Sequence, residues 1–170
     1  MRKVVYSAAM SLDGYIAGPK GESDWIVIDP ELDFAAMFAR FDTILLGRKT
    51  YETTRSGGGG GMPGVKSYVF SRTLQQTDAR GVTVSDDPME TISALKAQPG
   101  KDIWLFGGGS LFRSLLELGL VDAVGVAIIP VLLGGGVPLL PETPERAGLR
   151  LVEHQVYEKT GTVTLEYAVV

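Results

Sequence analysis

The chain contains no cysteine and only one histidine, His154. Those two scarcities exclude disulfides, thiolate-bound metals and a cysteine nucleophile, and they leave no ligand set for a His/Cys zinc site. Long apolar runs are missing as well. No stretch approaches the roughly 18 residues needed to span a bilayer. The amino-terminal run MRKVVYSAAM meets Asp13 early, which fits a buried first strand better than a leader peptide. Cations are outnumbered, with 16 Lys and Arg against 20 Asp and Glu and a net charge of -4. Without a basic face, a nucleic-acid partner is not expected. The expectation is a cytoplasmic protein with no membrane span and no metal.

What the chain has is an ordinary globular composition, with 170 residues of which 45% are hydrophobic. That predicts one domain over residues 1–170. Apolar, β-branched runs at 3–8, 43–46, 67–70, 82–85, 103–106 and 123–129 read as strands. Between them, Asp29-Pro30 and Asp87-Pro88 each offer a capping carboxylate followed by a proline at the first helical position. The first predicted helix would set Phe34, Met37, Phe38 and Phe41 on one face. A third helix is expected over 111–118. Near-continuous apolar strands alternating with helices imply a mostly parallel sheet covered on both faces. Residues 149–170 instead alternate, with Val163, Leu165, Tyr167 and Val169 on one side, and predict an antiparallel pair turning at Gly161. The fold class is therefore α/β, three αβα layers around a mixed sheet. The one low-complexity stretch, Gly57–Gly61 with Gly64 just beyond, predicts a mobile surface loop.

Three strand ends carry groups suited to phosphate. In Ile103-Trp-Leu-Phe-Gly-Gly-Gly-Ser-Leu-Phe a buried strand runs into Gly107, Gly108 and Gly109, and a helix begins at Ser110. A backbone without Cβ atoms admits a ligand closely, and the helix start offers free N–H donors, so diphosphate is a natural guest. The other reading is a tight turn needing positive φ. There is no Gly-Lys-Ser/Thr, and the spacing is not that of the dinucleotide fingerprint. A second strand ends in Gly47 followed by Arg48, Lys49 and Thr50, and a third ends in Ser71 and Arg72. A guanidinium, an ammonium and hydroxyls suit a dianionic phosphate. In a parallel sheet such tips share one edge, where ligands bind. A diphosphate site beside an arginine-rich monophosphate site describes NADPH rather than NADH.

Taken together and in order, Ser11-Leu-Asp-Gly-Tyr-Ile-Ala, Ser23-Asp-Trp, Leu46-Gly-Arg-Lys-Thr-Tyr-Glu, Val69-Phe-Ser-Arg, Phe106-Gly-Gly-Gly-Ser-Leu and Pro130-Val-Leu-Leu-Gly-Gly-Gly-Val-Pro-Leu resemble the dihydrofolate-reductase-like superfamily. Within it the chain is most similar to the C-terminal reductase domain of the riboflavin-biosynthesis deaminase-reductase and its stand-alone relatives. The resemblance implies NADPH as cofactor, with Gly107, Gly108, Gly109, Ser110 and Leu111 at the diphosphate. It implies Gly47, Arg48, Thr50, Ser71 and Arg72 at the adenosine ribose and its 2′-phosphate. It also implies that the loop from Met10 to Trp25 closes over nicotinamide and substrate, bringing Asp13 and Trp25 to the substrate. Folate reductases hold the pterin with one carboxylate on the first helix, and counting back from Gly47 without a gap puts Glu31 there, with Asp33 two residues on. Helix electrostatics alone would also place carboxylates at those positions.

The activity implied is hydride transfer from NADPH to a pterin- or pyrimidine-like ring, or to a sugar-type carbonyl, as in 5-amino-6-(5-phosphoribosylamino)uracil reductases or dihydrofolate reductases. Glu31, Asp33 and Asp13 are the candidate proton donors. The stretch Ile26-Val-Ile-Asp-Pro-Glu-Leu-Asp-Phe is acidic and apolar, where the riboflavin-pathway domain is typically basic, so a phosphorylated substrate would meet like charge there. The rival is a non-catalytic NADPH-binding protein of the same fold. The turn-rich apolar segment 130–141 suits either a homodimer interface or a pocket wall. His154 is expected to be ordinary surface.

Overall fold

The computed structural model describes residues 1–56 and 64–170; the glycine run Gly57–Gly61, expected as a loop, lies outside the described residues. Ten strands and four helices follow in the order β1 (Val4–Ser11), β2 (Tyr15–Ala17), α1 (Phe34–Ala39), β3 (Phe41–Gly47), α2 (Arg48–Ser56), β4 (Lys66–Phe70), β5 (Thr83–Ser85), α3 (Pro88–Ala97), β6 (Asp102–Gly107), α4 (Gly109–Glu117), β7 (Ala123–Ile129), β8 (Val137–Pro138), β9 (Leu149–Tyr157) and β10 (Thr162–Val169) among the described residues.

Eight of the strands form one sheet in the order β5-β4-β3-β6-β1-β7-β10-β9. The strands from β5 to β7 are parallel, while β10 runs antiparallel to both β7 and β9. The mixed α/β sheet and its carboxyl-terminal antiparallel pair are thus as the sequence pattern implies. Gly161, at φ +74°, makes the turn between β9 and β10.

Alternation along the central strands feeds two cores. Val4, Tyr6, Ile103, Leu105 and Val124 face α3 and α4, meeting Ile92, Leu95, Phe112 and Leu115. Val5, Ile44, Leu46, Val69 and Trp104 face the opposite way, toward Phe38 and Tyr51 of α1 and α2. Each fully buried Val, Leu or Ile contributes about 1.5–3 kcal/mol relative to exposure. Tyr6 stacks on Phe112 with ring centroids 3.9 Å apart. Burial pushes its hydroxyl pKa up to about 12.

One helix start differs from expectation. No helix opens at Asp29-Pro30; α1 begins at Phe34, capped by Asp33, whose Oδ1 accepts the Ala36 N–H at 2.9 Å. The reason is competition for the Asp29 carboxylate. Its Oδ1 accepts the Glu31 N–H at 2.9 Å and its Oδ2 accepts the Thr160 hydroxyl at 2.8 Å. That is an Asx-type turn stitched to the β9–β10 hairpin, a local alternative to a helical first turn. Phe41 belongs to β3 rather than to the helix. The Asp87-Pro88 start does hold, with Asp87 accepting the Glu90 N–H at 2.9 Å.

Segment 130–141 folds back on the amino-terminal loop. Asp13 accepts the Leu133 and Gly134 N–H groups at 3.1 and 2.7 Å, and β8 pairs with β2. No described helix is long and apolar enough to cross a membrane. His154 is exposed on the edge strand β9.

Candidate active site

Register aligns the strand tips: Leu46 lies beside Gly107, Gly47 beside Phe70, and Phe70 beside Ser85. The sequence-predicted phosphate residues of the three tips therefore share one edge of the sheet. Arg48 opens α2, about half exposed, with its Nε 2.8 Å from Glu52 and its Nη1 donating to the Thr73 hydroxyl. Ser71 Oγ accepts the Leu74 N–H at 3.0 Å and, with the exposed Arg72, lines a hollow of about 220 Å³ shared with Gln75, Gln76 and Ser85.

The glycine triplet serves three separate needs. Gly107 sits at φ +124°, which only glycine tolerates well, and the Gly107–Gly108 peptide is cis. Gly109 is pressed by the chain: a Cβ there would lie 3.2 Å from Pro141 Cδ and 3.4 Å from the Leu139 and Pro138 carbonyls. Gly108 has an ordinary φ of -81° and is the N-cap of α4, with no side chain to occupy the helix start. A Cβ at Gly108 would face Thr50 Oγ1 at 3.4 Å, and one at Gly47 would lie 3.7 Å from Gly108 N. Gly47, Thr50 and Gly108 thus meet closely beside the first N–H groups of α4, which have no intrahelical partners. Ser110 is exposed at that helix start and Leu111 packs beside Gly47.

On the α1 face of the same sheet lies a cleft of about 810 Å³. It exists because α1 covers only the β3–β6 half, where Phe38 packs on Trp104 with centroids 5.3 Å apart. Beyond it the floor is made of small side chains, Ser7, Ala9, Gly125 and Ala127, and the far wall belongs to β9 and β10. Asp29, Glu31 and Asp33 line the near wall. Asp29 is 3% exposed. Burial alone would raise its pKa, but the Glu31 N–H, the Thr160 hydroxyl and N–H, and Lys159 outweigh that and hold it below the usual carboxylate range. Glu31 pairs with Lys159 at 2.8 Å. Arg40 grips Glu166 with two hydrogen bonds, at 2.5 and 2.9 Å, and reaches Asp102 at 3.2 Å. The Glu166 bonds, aided by Asp102, hold Arg40 protonated.

Both Glu31 and Asp33 line the cleft, although helical spacing would have turned one of them away. Neither lies inside α1, so the helical argument does not govern them. Asp13 and Trp25 are not among the lining residues. Asp13 accepts the Ser11 hydroxyl at 2.6 Å and two backbone N–H groups of the 133–134 turn. The Ser11 hydroxyl, then the Gly134 N–H, lower its pKa. Trp25 donates its indole N–H to the Glu22 carbonyl at 3.1 Å. Sequence reasoning missed Asp29, Trp104 and the Arg40–Glu166 pair as cleft residues. The small residues at alternate positions of β1 and β7 were the available signal, since a strand face filled by Ser, Ala and Gly leaves room above it.

Comparison with known proteins agrees with this fold. Over 182 aligned residues the chain is 36% identical to the uncharacterized protein YyaP of Bacillus subtilis, covering 98% of this chain and 94% of that one. It is 29% identical over 150 residues to the riboflavin biosynthesis protein RibD of Mycobacterium tuberculosis, covering 79% of this chain but 44% of RibD. A solved dihydrofolate reductase from Enterococcus faecalis complexed with NADP(H) superposes with a TM-score of 0.71 at 21% identity, covering 98% of this chain and 96% of that one, which shows the shared fold. The family model of the RibD C-terminal domain matches residues 2–163, and the chain belongs to that family.

Proposed function

We propose that the protein is an NADPH-dependent reductase that delivers hydride to a small pterin- or pyrimidine-like ring or to a sugar-type carbonyl. The observation that carries this reading is the meeting of Gly47, Thr50 and Gly108 at the start of α4, on the strand-tip edge that also carries Arg48, Ser71 and Arg72 and on a sheet whose α1 face holds the cleft. The donors fit the cofactor. Backbone N–H groups of Gly109, Ser110 and Leu111 suit a diphosphate, and two guanidinium groups with the Ser71 and Thr50 hydroxyls suit a ribose phosphate. When bound, NADPH supplies the hydride; the chain positions the ring and excludes water. Its kinship with RibD, and its fold in common with a reductase solved with NADP(H), support the same reading.

Calorimetric titration should show NADPH binding at least about tenfold tighter than NADH, because losing charge-assisted contacts to the 2′-phosphate costs about 1.5–3 kcal/mol. Arg48→Ala should narrow that gap with the fold intact. Equal affinities in the parent would remove Arg48 and Arg72 from the site.

Glu31 and Asp33 are the carboxylates we assign to proton delivery. Glu31→Gln should slow the single-turnover hydride step and flatten its pH profile with NADPH affinity unchanged. Asp33→Asn keeps a good helix cap and serves as the comparison. If neither variant changes the step, the proton comes from solvent. A non-catalytic cofactor-binding protein is favoured by one observation: Asp29, Glu31 and Asp33 are each already engaged by a described partner. Oxidation of NADPH in the presence of a pterin or pyrimidine separates the two readings.

A further inference from the structure

We infer that the cleft takes an uncharged or cationic ring and rejects a phosphorylated one, an inference that rests on the cleft being the substrate site of the proposed reductase. Asp29, Glu31, Asp33, Glu153 and Glu166 line the cleft, and Arg40 is the one cation among its lining residues. Arg40 is already committed, with two hydrogen bonds to Glu166 and a third to Asp102. The nearby Lys159 is held by Glu31 at 2.8 Å. A phosphate dianion entering the cleft would therefore find no free guanidinium or ammonium among the residues that line it. It would face several carboxylates in a partly dehydrated groove, where like charges repel more strongly than in bulk water. Breaking the Arg40–Glu166 pair to release a cation would leave a half-buried carboxylate uncompensated.

Trp104 lines the cleft, but its indole N–H is sealed from solvent, so it offers an entering anion no donor. The substrate is then a ring carrying at most a neutral sugar or alkyl tail.

The test has two arms on the full chain. In the first, amide relaxation of Ala9, Gly125 and Ala127 is measured by NMR with a cationic and an anionic nitroxide of equal size. The cationic probe should relax them at least about twofold more strongly. In the second, NADPH oxidation is measured with 5-amino-6-(ribosylamino)uracil and with its 5′-phosphate. The unphosphorylated ring should have the higher kcat/KM by about tenfold or more, and Glu153→Lys should shrink that ratio. Equal or stronger relaxation by the anionic probe, or preference for the phosphate, overturns the inference. If neither ring oxidises NADPH, the pyrimidine reading of the proposed function fails, and the relaxation arm alone decides the charge claim.

Discussion

Gly108→Val should lose measurable NADPH binding while keeping the far-UV circular dichroism and unfolding cooperativity of the parent. The backbone at Gly108 has φ -81°, so a branched residue is not forbidden there by conformation. The cost is spatial. Its Cβ would stand 3.4 Å from Thr50 Oγ1, and its methyl groups would crowd the space beside the first N–H groups of α4. A diphosphate needs that space to reach those donors. The neighbouring glycines should behave differently. Gly107→Val forces a branched side chain to φ +124° and should destabilise the fold by about 1–3 kcal/mol. Gly109→Val drives a side chain into Pro141 and the Leu139 carbonyl and should also be read in stability first. Normal cofactor binding by the Gly108 variant would reduce the triplet to a turn.

The largest stability effect should come from the opposite edge of the sheet. Arg2 is 7% exposed, and its guanidinium donates to the Lys101 carbonyl at 2.6 Å, the Leu95 carbonyl at 3.2 Å and the Thr43 hydroxyl at 2.7 Å, as well as to Asp42. Asp42 also accepts the Lys101 N–H at 2.9 Å. The network ties the start of β1 to β3, to the end of α3 and to the loop before β6. Removing only the acid leaves a buried, uncompensated cation, so Asp42→Ala should cost about 3–5 kcal/mol by denaturant unfolding. A loss under about 1 kcal/mol would mean that the carbonyls alone satisfy Arg2.

The same acid sets part of the pH dependence. Burial tends to raise the Asp42 pKa, but the Lys101 N–H, the Thr43 hydroxyl and the Arg2 guanidinium outweigh it and bring it below the usual range. Asp13 and Asp29 are lowered as well. For a lowered folded pKa, the stabilisation is complete above the unfolded value of about 3.9 and fades as pH falls through the folded one. Parent stability should therefore drop below about pH 4 with a slope that Asp42→Ala reduces.

Much of the architecture was legible because period and capping are local. The apolar strand runs, the Asp87-Pro88 helix start and the alternation ending at Val169 all reappear in the structure. Asp29-Pro30 carried the same signal as Asp87-Pro88, yet no helix starts there. Asp29 instead closes a local turn tied to Thr160, 131 residues away. No local pattern records such a partner. The strand tips were legible for a related reason, since parallel topology alone brings Gly47, Ser71 and Gly107 to one edge. The cleft was only half legible. Glu31 and Asp33 are in its wall, but the room above Ser7 and Gly125 exists because α1 is six residues long and stops over β3 and β6. Helix length and placement are tertiary outcomes that the acidic stretch 26–34 does not encode by itself.

The central claim is that the glycine-lined start of α4 and the cleft work together in hydride transfer. It is tested most directly by mixing the protein, loaded with NADPH deuterated at the transferring carbon, with a panel of dihydropterins, aminopyrimidines and aldehydes and following the nicotinamide absorbance. The expected result is oxidation by at least one ring compound, slowed severalfold by the deuterium and abolished in Gly108→Val. Tight NADPH binding with no oxidation by any member of the panel would contradict it.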